Sequence, residues 1–325
     1  MARFLLTVFL CILAYPVVHG TDLRAKLRLL SDEVIANHSK KGLLLLGVLE
    51  IGNVSVNGIT ISEMSGLAWD EDEQILYAVS DRGYIVHFRP VFDNSSLVDV
   101  IPAAIHVLRD HSGRPLSGHF IDSEGLEAVG HDNRINGDTE LLVSFERTPR
   151  IDRYTPDGRY RAPVTIPEQL ATPGSYKNRN TALESITIHD RYGIIMAPEK
   201  LSRSYPPSEF QLFATDGRMW SFATAGATAG SITGLTTTAE GNLIALERIF
   251  HNVITGFSFA LHHMQPAGLH WRHEKLLRIG PEDGFFNDNF EGISRHRANY
   301  FFMISDDNNS ALQRSLLVYF KLTAL

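Results

Sequence analysis

Cysteine is nearly missing: the 325-residue chain has one, Cys11, inside an apolar N-terminal stretch. The rest of the chain can therefore form no disulfide, no catalytic thiolate and no cysteine-built zinc site. Such avoidance suits an exported protein in an oxidising compartment. Long apolar runs are scarce as well. In MARFLLTVFLCILAYPVVHG the run from Phe4 to Ala14 follows a basic Arg3 and is too short to span a bilayer comfortably. Residues 1–20 read as a cleavable secretory signal, so the mature chain is expected in the periplasm or outside the cell, with no membrane span. Basic charge is not in excess either. A formal net charge of -7 argues against nucleic-acid partners. The arginine-rich run RTPRIDRYTPDGRYR (147–161) is broken by a Pro-Asp-Gly turn and reads as a solvated or anion-facing edge.

What is present is ordinary globular material, 44% hydrophobic and 21% charged, with no low-complexity linker to divide it. Leu23, Leu27, Leu30 and Val34 recur at helical spacing, which predicts a helical or linker segment over 21–41. From Gly42 onward the pattern becomes short β-rich runs separated by Gly, Asp, Asn and Pro. That predicts one all-β domain over 42–325.

This domain repeats itself. EMSGLAWDEDEQILYAVSDRG begins at Glu63, EGLEAVGHDNRINGDTELLVSFER at Glu124, ESITIHDRYGIIMAPEK at Glu184, SITGLTTTAEGNLIALER at Ser231 and EGISRHRANYFFMISDD at Glu291. Each copy starts with an acidic or small polar residue, crosses a turn and ends a strand on a charged pair. The pairs are Asp81/Arg82, Glu146/Arg147, Glu199/Lys200, Glu247/Arg248 and Asp306/Asp307. The Gly-equivalent positions 66, 125, 185, 234 and 292 lie 59, 60, 49 and 58 residues apart. These are blade-sized intervals, and runs such as RIDRYTPDG and EFQLFATDG supply third strands. The expected fold is a β-propeller of five blades, or six if residues 84–120 hold a diverged one. GLLLLGVLEIG (42–52) has no blade of its own and is expected to close the ring as the outer strand beside SLLVYFKL.

In an antiparallel hairpin the start of the first strand lies beside the end of the second. Glu63 then neighbours Asp81, Glu124 neighbours Glu146, Glu184 neighbours Glu199, and Glu291 neighbours Asp306. If these are the inner hairpins, the acids form a ring at the channel mouth. Like charges so close are costly, and a hard divalent cation such as calcium relieves the repulsion with oxygen ligands. Arg82, Arg147, Lys200 and Arg248 offer salt bridges or contacts to an anionic substrate instead. Scaffold ion pairs between blades are the plain structural alternative.

Together SGLAWDEDEQILYAVSDRG, DSEGLEAVG, LLVSFER, ALESIT, GNLIALER and FEGIS resemble the phytase-like (esterase-like activity of phytase) family of exported proteins, from about Gly42 to the C-terminus. The resemblance implies a propeller distantly similar to calcium-dependent phytases and a small anionic or ester substrate. It also implies calcium-assisted hydrolysis of phosphate or other esters. On that basis Glu124, Glu127, Glu184 and Glu291 are the candidate catalytic carboxylates. Glu63, Asp81, Glu146, Glu199, Glu247 and Asp306 are the candidate metal ligands, and Arg82, Arg147, Lys200 and Arg248 the candidate phosphate contacts. Ser65 and Thr233 replace the acid in the first and fourth copies.

Other chemistries find less support. AGSITG lacks the spacing of a nucleophile elbow. His251, His262, His263, His270 and His273 cluster loosely, but Leu277 stands where a second histidine of HExxH is needed, so they read as surface or half-buried side chains. Asn37, Asn53, Asn94 and Asn308 match glycosylation acceptors. The principal rival to a hydrolase is a non-catalytic propeller that binds a ligand or partner on its charged face.

Overall fold

Four of the repeats fold into four-stranded antiparallel sheets whose first strand is innermost, and a fifth sheet of five strands, three from the last repeat and two from the N-terminal side, completes the propeller. The computed structural model describes residues 26–27 and 41–325, apart from 53, 179–180, 202–205, 207, 227–229, 253, 269, 284–287, 311–312 and 324. The signal segment, most of the helical spacing in 21–41, and Asn37 and Asn53 lie outside those residues. Lys26–Leu27 are described, and pair as a short strand with Leu49 and Glu50 where a helix is expected.

The first blade comprises Met64–Asp70, Ile75–Ser80, Tyr84–Asp93 and Ser96–Val107. Residues 84–107 are thus its outer strands, and no sixth blade forms among the described residues. The second comprises Ser123–Val129, Glu140–Phe145, Arg150–Tyr154 and Tyr160–Val164; the third Leu183–His189, Gly193–Pro198, Glu209–Ala214 and Met219–Ala223. The fourth comprises Ser231–Thr237, Leu243–Asn252, Gly256–Ala267 and His270–Ile279. In the fifth, Asn289–Arg297, Tyr300–Asp306 and Ser315–Leu322 are completed by Leu43–Ile51 from the other end of the chain. This strand pairs from Leu43 with Leu322 to Ile51 with Ser315, so the ring closes as the repeat count requires.

The hydrophobic cores lie between blades. One cluster joins Ile51 and Phe302 of the last blade to Leu67 and Val86 of the first. Four more bridge first and second, second and third, third and fourth, and fourth and fifth. Because each sheet is covered on both faces, ILYAVS (75–80) is buried throughout instead of alternating. Each fully buried Leu or Phe contributes about 1.5–3 kcal/mol.

All five inner hairpins carry a β-bulge at one repeated place. The register slips at Ser65, at Glu124 and Gly125, at Glu184, at Thr233 and at Glu291. A bulge inserts an unpaired residue and re-aims its side chain. The residue after it meets the next blade's backbone: a Cβ on Gly66 would lie 2.5 Å from the Glu124 carbonyl, and one on Gly292 2.7 Å from that of Ser65. The repeated glycine is therefore set by close approach between blades.

Candidate metal centre

The bulges fix two columns of residues around the channel mouth. The bulge column holds Ser65, Glu124, Glu184, Thr233 and Glu291. Counting along the pairs Met64–Ser80, Ser123–Phe145, Leu183–Pro198, Ile232–Glu247 and Phe290–Ser305 gives the facing column: Asp81, Glu146, Glu199, Arg248 and Asp306. Seven carboxylates thus surround one guanidinium. The fourth copy is offset by one from the sequence expectation, since Arg248, not Glu247, stands in the acidic column.

Carboxylate oxygens within 4.8 Å of one another group Asp81 with Glu124 and Glu291, Asp122 with Glu124 and Glu146, and Glu146 with Glu184 and Glu199. Glu124 is common to the first two groups and Glu146 to the last two, so the three form one arc. Asp122 joins it although the repeats did not single it out. It precedes the bulge residue by two, as Glu63, Ser231 and Asn289 do in their copies, and that shared offset is the signal that identifies it.

Ionisation here is unfavourable. Burial, then the charges of Glu291 and Asp306, push Asp81 well above the usual carboxylate range. Burial and Asp81 act likewise on Glu124, and burial and Glu199 on Glu184. Glu146 is held up to about 8 by burial and by Asp122, and Asp306 to about 8 by burial and by Glu291. Glu291 is raised by burial, against which the Arg248 charge works. Asp81, Glu124, Glu146, Glu184 and Asp306 make no ion pair with Lys or Arg among the described residues. Buried oxygens that crowd together without a basic partner fit the donor set of a hard cation.

The predicted basic contacts are mostly engaged. Arg82 lies 3.6 Å from Glu63, and Arg147 lies 2.9 Å from Asp122. Arg248 is bonded to Glu291, lies 3.0 Å from Asn289 Oδ1 and 3.4 Å from Glu199. Lys200 lies 3.8 Å from Glu199. Glu199, Lys200 and Arg248 line a cavity of about 410 Å³ with Ser231, Phe250, Phe257, Asn289 and Asn308.

Two expected site residues are elsewhere. Glu127 lines a separate cavity of about 350 Å³ with Trp69, Ile188, Thr237 and Arg295, from the opposite ends of the inner strands. Its carboxylate accepts from Thr187 Oγ1 at 2.8 Å and from the Ala128 amide at 3.0 Å. Glu247 is fully buried between blades, where it accepts from His262 Nε2 at 2.8 Å and the Ala225 amide at 2.7 Å. His262, itself fully buried, lies 2.8 Å from the half-buried His273 of the outer strand. The largest of these cavities, about 560 Å³ and lined by Phe120, Arg150 and Tyr154, does not include the carboxylate arc.

A family model described as Phytase-like, esterase-like activity of phytase, matches residues 59–309. None of the curated proteins matches. Among solved structures, the extracellular domain of the hybrid two component system BT4673 from B. thetaiotaomicron is similar over 84% of this chain at 11% identity and a TM-score of 0.39. This chain spans 31% of that one. No helix among the described residues is long and apolar enough to cross a membrane.

Proposed function

The chain belongs to the phytase-like family, and we propose that it is an exported, calcium-dependent hydrolase of phosphate esters working at the propeller mouth. The observation that carries this reading is the arc of buried carboxylates, in which Asp81, Glu124, Glu146 and Glu184 have no basic partner among the described residues. Calcium bound there would neutralise substrate phosphate and acidify water. Asp81, Glu124 and Glu146 would hold the cation, with Glu124 and Glu146 shared between groups.

Other residues have tasks that follow from their surroundings. Arg248, fixed by Glu199, Glu291 and Asn289, and the more exposed Lys200 present positive charge to an anionic phosphoryl group in the 410 Å³ cavity. Glu291 is then a positioning residue for Arg248. Glu184, raised and free of ion pairs, suits the acceptance of a proton from attacking water. Glu127 and Glu247 take no part at the mouth. The basic and apolar start of the chain supports export.

The test is phosphate release from a panel of phosphomonoesters by the mature chain, with calcium and with chelator. Calcium-dependent turnover that Glu124→Gln abolishes is the expected result. The pairs Arg82–Glu63, Arg147–Asp122 and Arg248–Glu291 favour a second reading, a mouth that captures ligands without turnover. Calcium binding with no hydrolysis of any ester would select it.

A further inference from the structure

The fourth blade departs from the other four at the mouth. In blades one, two, three and five the second strand ends at Ser80, Phe145, Pro198 and Asp306, no further than the acidic column. In blade four it continues past Arg248 to Asn252, and the next strand begins at Gly256. Phe250 pairs with Phe257 across this extension, with ring centroids 5.1 Å apart at 52°. Side chains two apart share a strand face, so Phe250 follows Arg248 on the side that lines the 410 Å³ cavity.

Phe250 is 53% exposed although the inter-blade cores offer ample apolar surroundings to other aromatics. Half-exposed aromatic pairs beside a charged cleft are a common way to hold an apolar group while a polar group is held nearby. The cavity therefore has two unlike walls: Lys200 and Arg248 for an anion, and Phe250 with Phe257 for a flat apolar group. A compact polyanion fits it poorly, because Arg248 is already shared among Glu199, Glu291 and Asn289, and Arg82 and Arg147 face acids of their own.

From this asymmetry we infer that the preferred substrate is a phosphate monoester carrying one aromatic group, held by Phe250 and Phe257, and not a polyphosphorylated polyol. This rests on the reading of the mouth as a calcium-dependent phosphoesterase. Removing an apolar contact of this kind changes discrimination by roughly 10- to 200-fold.

The experiment compares benzyl phosphate with ethyl phosphate, whose alcohols have similar acidity, so that the kcat/KM ratio reports the ring and not the leaving group. With calcium, a benzyl preference of about tenfold or more is expected, shrinking to within about threefold in Phe250→Ala. In parallel, phenylphosphonate and methylphosphonate, which are not hydrolysed, are titrated by calorimetry. Phenylphosphonate should bind about tenfold tighter to the natural chain and lose that advantage in Phe250→Ala. Hydrolysis without a benzyl preference would overturn the inference and leave the hydrolase reading intact. Absence of hydrolysis with Phe250-dependent phenylphosphonate binding would overturn the hydrolase reading, and with it the word substrate, while keeping Phe250 and Phe257 as the aromatic wall of an anion-binding site; equal binding of the two phosphonates would overturn the inference whatever the turnover.

Discussion

Without a cation the carboxylate arc should make the protein less stable as the solution becomes more alkaline. Glu146 is held up to about 8 from an ordinary 4.5, and Asp306 to about 8 from 3.8. A carboxyl whose folded value lies above its unfolded one binds more protons when folded. Its contribution to stability is complete below about pH 4, declines from there upward and is lost as the pH passes 8. At 1.36 kcal/mol per tenfold of proton activity, one such group accounts for about 5 kcal/mol. The two do not add, because protonating one relieves its neighbours and the arc titrates as a set. About 4 kcal/mol of this falls between pH 5 and pH 8, so at about 2 °C per kcal/mol for a domain of this size the melting temperature in chelator should fall by roughly 8 °C over that range. Calcium should reverse the trend, since it binds the ionised form: its stabilisation is larger at pH 8 than at pH 5, and adding it near pH 7 releases protons. Scanning calorimetry across pH, with chelator and with calcium, measures this. A melting temperature in chelator that is level or rises from pH 5 to pH 8 would refute the argument, because the arc would then be held ionised by the protein alone.

Three further outcomes can be checked on purified variants. Glu184→Gln should lower calcium-dependent turnover at least about 100-fold if that carboxylate receives the proton, while raising the melting temperature in chelator because a buried carboxyl that resists ionisation is gone. Arg248→Met leaves Glu291 and Glu199 without their shared cation and should cost about 3–5 kcal/mol in urea unfolding without calcium; a loss under about 1 kcal/mol would mean that the guanidinium is not needed to assemble the ring. Gly292→Ala places a Cβ 2.7 Å from the Ser65 carbonyl across the first and last blades, for an expected loss of about 1–3 kcal/mol, read by the same unfolding curve.

Much of this architecture was legible because the propeller repeats its local chemistry. The bulge, the glycine and the strand-end charge recur together, so five copies announce five blades, and the unclaimed strand before the first copy announces ring closure. Alignment by resemblance of charged pairs was less safe. LLVSFER and GNLIALER look alike, yet Glu146 faces the mouth and Glu247 faces the blade interior. The spacing holds the correct answer: Arg248 follows Gly234 by fourteen residues, as Glu199 follows Ser185 and Asp306 follows Gly292. Side-chain burial at Glu247 comes from its bond to His262 on the neighbouring strand, a contact that no local pattern encodes. Glu127 lies apart from the mouth for another reason. Its position three residues past Glu124 in EGLE suggests the same site, but a strand rises about 3.3 Å per residue and carries it towards the opposite end of the channel.

The closure strand also sets an order of events for a chain being made from its N-terminus. Leu43–Ile51, LLLLGVLEI, finds its partner only when Ser315–Leu322 exists, more than 260 residues later. Until then the nascent chain displays a long apolar strand with an unsatisfied edge, the kind of segment that recruits other chains. Ring closure is consequently a late, long-range step, slow for reasons of loop entropy. Passage across a membrane in an unfolded state would postpone it further, so that holding Leu43–Ile51 apart from its own copies becomes a requirement of biogenesis and not of the finished propeller.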